Sequence, residues 1–249
     1  NLQWLPFDTD CISIYCETLS DTVAISYDTN GGKDKGGNTI TYKSINQAPN
    51  KQIVLQGGDM YNENKLFAWT DSQGNKYNYG DVYTIPNNNT TLTAQWIAGN
   101  EVTVTNTLPT DSTVEFQSMS PSRCLIRYDD NEVVRRNTNA ISTFKKNYSS
   151  GIHDTTVVSD SDDLTNFDNA FDKETTTKID CSKVKATYLT SPMGNGFENI
   201  TDFVFPANLA NISTSEGVLS GCKKLTNIAF PTAYCDISHP ESFLANSTF

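Results

Sequence analysis

The sequence predicts a mainly β, multidomain protein, and three observations support this prediction. Short runs in which apolar and polar residues alternate recur along the chain, and this period of two is typical of strands with one buried face. Asn, Thr, Ser and Asp are abundant, and they favour strands and turns over long helices. A segment near the C-terminal end repeats itself, which indicates stacked units. The length of 249 residues allows roughly one to three domains.

Residues 1–20 are predicted to form an N-terminal strand segment. The apolar cluster of Trp4, Leu5 and Phe7 precedes a mostly apolar run at 11–16. This run either ends a preceding domain or packs on the next one. Cys11 and Cys16 could form a disulfide in an oxidising compartment, and free buried thiols are an equally good interpretation.

Residues 21–97 are predicted to form a small β module. A strand enters a turn at 28–32, where Gly31 and Gly32 allow positive φ. Trp69 and Trp96 supply the large apolar side chains that a small core needs, so core packing is the favoured role of both. As an alternative, Trp69 or Tyr77 could be a stacking platform for a sugar ring.

The motifs of this module resemble the internalin-type B repeat, also called the Listeria–Bacteroides repeat, over about residues 22–97. The matching motifs are 27–32, 67–69, 71–74, 80–81 and 91–96. Ala68 and Thr93 depart from the family pattern, in which Gly and Tyr are usual. The resemblance implies a small β-grasp-like sheet crossed by one short segment. It also implies a spacer or interaction module on a surface protein.

Residues 98–150 are predicted to form a β-rich connecting domain that contains a short helix. Alternating apolar residues predict three short antiparallel strands, near 102–104, 114–116 and 124–128. Ile141, Phe144 and Tyr148 have the spacing i, i+3, i+7, which predicts a helix over about 139–148.

Residues 151–174 are predicted to form an acidic connection. The clustered carboxylates belong to Asp160, Asp162, Asp163, Asp168 and Asp172. A calcium loop is the functional alternative, but the spacing lacks the central Gly and the closing Glu of an EF-hand. A solvated, flexible connection is therefore favoured. We expect Phe167 and Phe171 to cover the open end of the repeat units.

Residues 175–249 contain a repeat with a spacing of 25 residues. The run 200–206 returns as 225–231, and Ile212 returns as Ile237. Alternating apolar residues in each run predict a short strand, which a proline ends because proline cannot donate to a ladder. A fixed spacing of this size predicts that the two strands lie side by side.

The repeat resembles the BspA-type leucine-rich repeat over about residues 175–249. The resemblance rests on the Phe-Pro pairs 205–206 and 230–231, the mid-unit Ile212 and Ile237, and the junction 220–225. It implies the start of a leucine-rich-repeat solenoid. Because two or three such units bury little surface and the chain starts at Asn1, we expect a fragment of a longer modular surface protein.

Charge and motifs exclude several functions. The net charge is −11, whereas a nucleic-acid binder needs a basic surface. No run of 18 apolar residues predicts a membrane span. The two histidines, His153 and His239, lie in no catalytic or zinc motif, and the six cysteines have no zinc spacing. We therefore predict a non-enzyme with no cofactor, catalytic residue or metal site, and the sequence leaves the binding residues and the pairing of Cys124, Cys181, Cys222 and Cys235 undetermined.

These predictions favour a non-catalytic, cell-surface or secreted adhesion or binding protein that recognises a protein or a glycan through its modules. One alternative is a structural fibre or decoration protein of a phage or virion. Another is a set of accessory modules in a larger carbohydrate-active enzyme. The expected location is extracellular or at the cell surface, and in the first alternative it is the virion.

Overall fold

In a computed structural model, the protein is nearly all β. The structure describes residues 22–137, 140–162, 164–189, 192–213, 217–232, 234–238 and 240–247, with Ser242 described by its main chain alone. The predicted segment 1–20, with Cys11 and Cys16, lies outside the described residues. Asp163 and His239 lie outside them as well.

The N-terminal part of the described chain is built around a five-stranded sheet. A separate two-stranded sheet lies beside it in the sequence. In chain order the strands of both sheets are β1 (Val23–Asp28), β2 (Ile45–Gln47), β3 (Gln52–Val54), β4 (Lys65–Thr70), β5 (Lys76–Tyr77), β6 (Val82–Thr84) and β7 (Thr90–Ala98). The order in the larger sheet is β2-β1-β7-β4-β5, with β1 and β7 parallel, and β3 pairs with β6. We call residues 22–98 the N-terminal region.

The core of the N-terminal region is largely aromatic. Trp69 is fully buried, and its ring meets those of Tyr27 and Phe67 edge-on at centroid distances of 5.1 and 5.4 Å. The indole Nε1 donates to the carbonyl of Gln56 at 2.7 Å, so burial leaves no polar atom of Trp69 unpaired. Gly57 lies beside Phe67, where a Cβ would come within 2.6 Å of the ring.

The rest of the chain is built around a seven-stranded sheet. In chain order this part of the protein begins with β8 (Asn100–Leu108), β9 (Ser112–Gln117), β10 (Cys124–Arg127), β11 (Val133–Arg136), β12 (Thr143–Tyr148), β13 (Gly151–Ser159) and β14 (Thr176–Lys183). The remaining strands are β15 (Tyr188–Leu189), β16 (Asp202–Val204), β17 (Asn211–Ile212), β18 (Asn227–Ala229) and β19 (Asp236–Ile237). The sheet order is β11-β10-β13-β8-β14-β16-β18, β9 pairs with β12, and β15, β17 and β19 form a parallel sheet.

One face of the seven-stranded sheet is covered by the main core. Val102, Val104 and Ile179 are fully buried there, because alternate residues of a strand point to the same face. Phe116 and Phe144, which are paired between β9 and β12, pack into the same core. Two three-residue 3-10 helices, Phe167–Asn169 and Pro240–Ser242, are the helical elements of the described residues.

The predicted fold class is wrong. We expected a β-grasp-like module, a connection with a short helix and the start of a leucine-rich-repeat solenoid. The described residues instead form five separate sheets, none of which closes on itself or winds into a solenoid. The strands of the repeat are two or three residues long, and they extend the seven-stranded sheet or form the small parallel sheet.

The 25-residue spacing itself is visible in the strand register. Asp202 lies opposite Asn227 in the parallel pair β16–β18, and Asn211 lies opposite Asp236 in β17–β19. Side chains repeat with the same spacing, since the amide of Asn227 donates to Asp202 Oδ1 at 2.9 Å. The repeat therefore sets strand pairing locally without generating a solenoid in the described part of the chain.

The predicted helix over 139–148 is also wrong. Residues 143–148 form β12, which pairs antiparallel with β9 along its whole length. Phe144 and Tyr148 are both buried, and their spacing of four fits a strand as well as a helix because four is a multiple of two. Ile141, the third apolar residue of the supposed helical face, is 39 % exposed.

The range 151–174 differs from the expected solvated connection. Its first nine residues form β13, which pairs with β8 on one side and β10 on the other. Phe167 and Phe171 are buried in the main core, and their rings meet edge-on at 5.3 Å. The predicted domain boundaries stay predictions, although this core joins residues of the ranges 98–150, 151–174 and 175–249.

The N-terminal region covers part of the other face of the seven-stranded sheet. Leu66 of β4 packs against Leu125 of β10 and Val158 of β13, and all three are buried. Arg135 of β11 is 3 % exposed and reaches into the N-terminal region. Its guanidinium lies 4.9 Å from the centroid of the Phe67 ring and donates to the carbonyl of Met60 at 2.7 Å.

Candidate binding groove

The face of the seven-stranded sheet that points away from the main core is only partly covered by the N-terminal region. Its uncovered part carries a polar groove beside that region. Its floor is formed by β8, β13 and β14, whose apolar residues point to the main core and whose polar residues therefore point outward. Its wall is formed by the start of β4 and the junction between β7 and β8. We call this the polar groove.

The polar groove consists of two adjoining depressions that share Glu101 and Lys183. The first has a volume of about 190 Å³ and is lined by Glu101, Thr103, Thr105, Asp154, Lys178, Asp180, Ser182 and Lys183. The second has a volume of about 450 Å³ and is lined by Glu63, Asn64, Lys65, Ala98, Gly99, Glu101, Lys183 and Lys185.

Strand register places the floor residues in rows across the sheet. Thr105 lies opposite Asp154 on one side and Lys178 on the other, and Thr103 lies opposite Asp180. Residues opposite one another share a face, so their side chains meet on the groove floor. Thr105 Oγ1 donates to Asp154 Oδ1 at 2.7 Å. Lys178 is exposed and forms no salt bridge with any described residue.

Glu101 joins the floor to the wall. Its Oε1 accepts from Lys183 Nζ at 2.8 Å and from Asn64 Nδ2 at 2.7 Å. The carboxylate is mostly buried, with 13 % of the side chain exposed, whereas the Lys183 side chain is 67 % exposed. Asn64 Oδ1 is buried and has no hydrogen-bond partner, so the wall retains one unused acceptor.

The junction between β7 and β8 is a close contact and not a flexible linker. Gly99 separates the two strands, and a Cβ there would lie 2.3 Å from the carbonyl oxygen of Ser159. Only glycine fits such an approach between two backbones. Asn100 anchors the next residues, because its Oδ1 accepts from the backbone N–H of Lys185 at 2.6 Å.

The aromatic residues considered for sugar stacking lie outside this groove. Trp69 is fully buried, so the prediction of core packing is confirmed and a stacking role is excluded. Trp96 is half-buried, and its Nε1 donates to the carbonyl of Asn30 at 2.9 Å. The Tyr77 hydroxyl donates to Asp71 Oδ2 at 3.2 Å, and its ring meets Tyr83 edge-on at 5.0 Å.

His153, the described histidine, has both ring nitrogens engaged. Nδ1 lies 2.6 Å from Asp129 Oδ2, and Nε2 lies 2.9 Å from the carbonyl oxygen of Ser149. Its ring also stacks on that of Tyr148, with the ring centroids 4.3 Å apart, so His153 is held in one orientation.

The described cysteines are free thiols in apolar surroundings. Burial raises the pKa of Cys124 and of Cys222 to about 11, and it raises the pKa of Cys181 well above its usual value. Burial also raises the pKa of Cys235, which is half-buried. The thiolate is the nucleophilic form, so these residues are poor nucleophiles at neutral pH. Cys222 is fully buried in the main core.

Described acidic residues of the range 160–172 pair with other parts of the fold. Asp160 pairs with Arg123 at 2.6 Å, Asp162 accepts from Asn100 at 2.8 Å, and Asp168 pairs with Lys173 at 2.5 Å. Each of these carboxylates has a protein partner, which leaves them poorly placed to converge on a cation. Among the described residues, no group of three potential metal ligands comes together.

Sequence reasoning missed the residues of the polar groove. The alternation of Thr103 and Thr105 with buried valines, and of Lys178 and Asp180 with buried Ile179, marks them as outward-facing. That signal does not tell which outward-facing residues another part of the chain covers. Only the position of the N-terminal region distinguishes a groove from an ordinary solvated face.

The chain matches no protein-family model, no curated protein and no solved structure. The resemblances to the B repeat and to the BspA-type repeat therefore rest on the motifs of this sequence alone. Within the described residues, no helix has the length and apolar character that crossing a bilayer requires.

Proposed function

We propose that this chain is a non-catalytic binding protein and that the polar groove is its recognition surface. The groove is the observation that carries the proposal. It combines side-chain donors and acceptors on a rigid sheet, and a second part of the chain frames it.

Rigidity supports this role. Thr103 and Thr105 belong to β8, which is paired on both sides, so the floor has little freedom to rearrange. A surface that is ordered before binding loses less conformational entropy when a ligand arrives. Glu101 is already hydrogen-bonded to Asn64 and Lys183, which keeps its carboxylate in one position.

The chemistry of the described residues favours binding over catalysis. Both ring nitrogens of His153 are engaged by Asp129 and Ser149, and burial raises the pKa of the Cys124 and Cys222 thiols to about 11. The acidic character of the whole chain, with a net charge of −11, suits a secreted or surface-exposed protein. We therefore propose an extracellular or cell-surface adhesion role, consistent with the modules that the sequence resembles.

Binding to arrays of glycans and of extracellular proteins tests this proposal. We expect the chain to bind one class, and the variant Lys178→Ala/Asp180→Ala to lose that binding. The matched control is Lys145→Ala/Glu115→Ala, which removes an exposed cross-strand pair with an N–O distance of 3.2 Å on another sheet. Chemical conversion of the bound component, or no binding on either array, would contradict the proposal.

A further inference from the structure

We infer that the polar groove takes a neutral, polyhydroxylated ligand, that is, an uncharged oligosaccharide chain. This inference rests on the proposed function, and it names the chemical class of the ligand. It follows from the charge balance of the groove, from the pairing of its strands and from the kind of side chains on its floor.

The groove is electrically balanced on a protein that is strongly acidic. Its lining contains four carboxylates and four ammonium groups: Glu63, Glu101, Asp154 and Asp180 with Lys65, Lys178, Lys183 and Lys185. The chain as a whole carries a net charge of −11. A balanced lining gives neither an anion nor a cation a net electrostatic advantage, whereas it offers a neutral polar ligand both donors and acceptors.

Most of the floor cannot bind a peptide through main-chain hydrogen bonds. β8 pairs with β13 on one side and β14 on the other, and β14 pairs with β16 at Lys178, Ile179 and Asp180, so these residues offer no open edge in the groove. Adding a peptide strand requires such an edge. The lining is also poor in apolar side chains, so an apolar side chain of a peptide would bury little surface there.

The floor side chains suit hydroxyl groups. The Thr103 hydroxyl can donate and accept, and the Thr105 hydroxyl, which donates to Asp154, can still accept. Asp154 and Asp180 present acceptors beside the free ammonium group of Lys178. A sugar hydroxyl also donates and accepts, so it can bridge a carboxylate and an ammonium group. None of the residues that line the groove is aromatic, so the affinity arises from hydrogen bonds without ring stacking.

Isothermal titration of the 249-residue chain with defined oligosaccharides tests this inference. The probes are a neutral glucan hexasaccharide, a neutral mannan hexasaccharide, a sulfated hexasaccharide and an uncharged polar hexapeptide. We expect at least one neutral oligosaccharide to bind and the sulfated and peptide probes to bind at least about tenfold more weakly. The variant Lys178→Ala/Asp180→Ala should raise the dissociation constant of the neutral oligosaccharide about tenfold, which is the effect of losing one or two hydrogen bonds to charged groups. The control Lys145→Ala/Glu115→Ala should leave that dissociation constant unchanged.

The outcomes separate this inference from the proposed function. If the peptide or a protein on the array binds and the groove variant abolishes that binding, the inference is wrong and the proposed function stands. If a neutral oligosaccharide binds equally to the groove and control variants, the site lies elsewhere and the inference is wrong. If no probe and no array component binds, both are wrong. Circular dichroism of each variant verifies that the fold is intact.

Discussion

The face of the seven-stranded sheet that points away from the main core has two halves: one is covered by the N-terminal region, and the other forms the polar groove. A single cross-strand row runs through Arg135, Leu125, Val158, Glu101 and Lys183. The first three residues are buried under the N-terminal region, and the last two line the polar groove. The row changes from covered to groove-lining between Val158 and Glu101, which lie directly opposite each other in adjacent strands.

This comparison shows that the groove is a product of docking. The N-terminal region covers the apolar Leu125 and Val158 together with Arg135, whose guanidinium donates to the carbonyl of Met60, and it stops before Glu101. Its edge then serves as the groove wall, with Asn64 hydrogen-bonded to Glu101 across the boundary. Stability and the proposed recognition therefore depend on neighbouring parts of the same sheet face, and substitutions in the two halves should have different consequences.

The largest contrast is expected between Leu125→Asn and Thr103→Asn. Leu125 is fully buried under the N-terminal region, so an amide there removes apolar contacts and buries a polar group, which costs about 3 kcal/mol. Thr103 is on the open half, and the same amide should change the free energy of unfolding by at most about 0.5 kcal/mol. Urea denaturation measures both, and equal effects would show that the halves do not differ.

Arg135→Ala should have the next largest effect. The substitution leaves the carbonyl of Met60 without its donor and removes a cation from the Phe67 ring, so we expect a loss of about 2 kcal/mol. The matched control is Arg136→Ala, because Arg136 is exposed and should contribute about 0.5 kcal/mol through the Phe144 ring. Thermal or urea unfolding of the two variants distinguishes a buried anchor from a surface contact.

Gly99→Ala should destabilise the chain by about 1–2 kcal/mol and also change the groove. The added Cβ conflicts with the carbonyl oxygen of Ser159, so the junction between β7 and β8 has to move apart. The neighbouring exposed Ala98→Ser serves as the control for stability alone, because Ala98 also lines the groove, and it should leave the urea midpoint nearly unchanged. Urea denaturation measures the change in stability, and titration with the neutral oligosaccharides measures the change in binding. An unchanged urea midpoint would show that the backbone accommodates the added methyl group without losing stability.

The smallest effect is a pH dependence at the edge of the covered half. Although partial burial of Asp130 opposes its ionisation, hydrogen bonds from Lys35 and Lys146 hold the pKa of its carboxyl well below its usual value. Because the folded-state pKa is depressed, this stabilisation is present above the usual Asp pKa of about 3.9 and is lost as the pH falls through the lower value.

The Asp130→Asn variant isolates this contribution. Its urea midpoint should be slightly below that of the unmodified chain at pH 7, and the difference should shrink at pH 3. The difference should also shrink at high salt, since Lys35 and Asp130 are both solvent-accessible. A difference that grows on acidification would contradict the assigned role of Asp130.

Sequence reasoning succeeded where burial follows a local period. Val102 and Val104 were predicted as strand residues with one buried face, and both are fully buried in β8. The 25-residue spacing predicted neighbouring strands, and β16 and β18 pair with that offset. The helix over 139–148 failed because a spacing of four between Phe144 and Tyr148 fits two periods, and pairing with β9 decided between them.

The sequence by itself determined which side chains of each strand face a core, because alternation is a local property of the backbone. Tertiary structure alone decided which of the remaining faces stay open, because that depends on where the N-terminal region docks. Leu125 and Thr103 are both outward-facing residues of the same sheet, yet one is buried under that region and the other lies in the groove. The physical reason is that burial of an outward face requires a partner surface, and no strand contains the position of its partner.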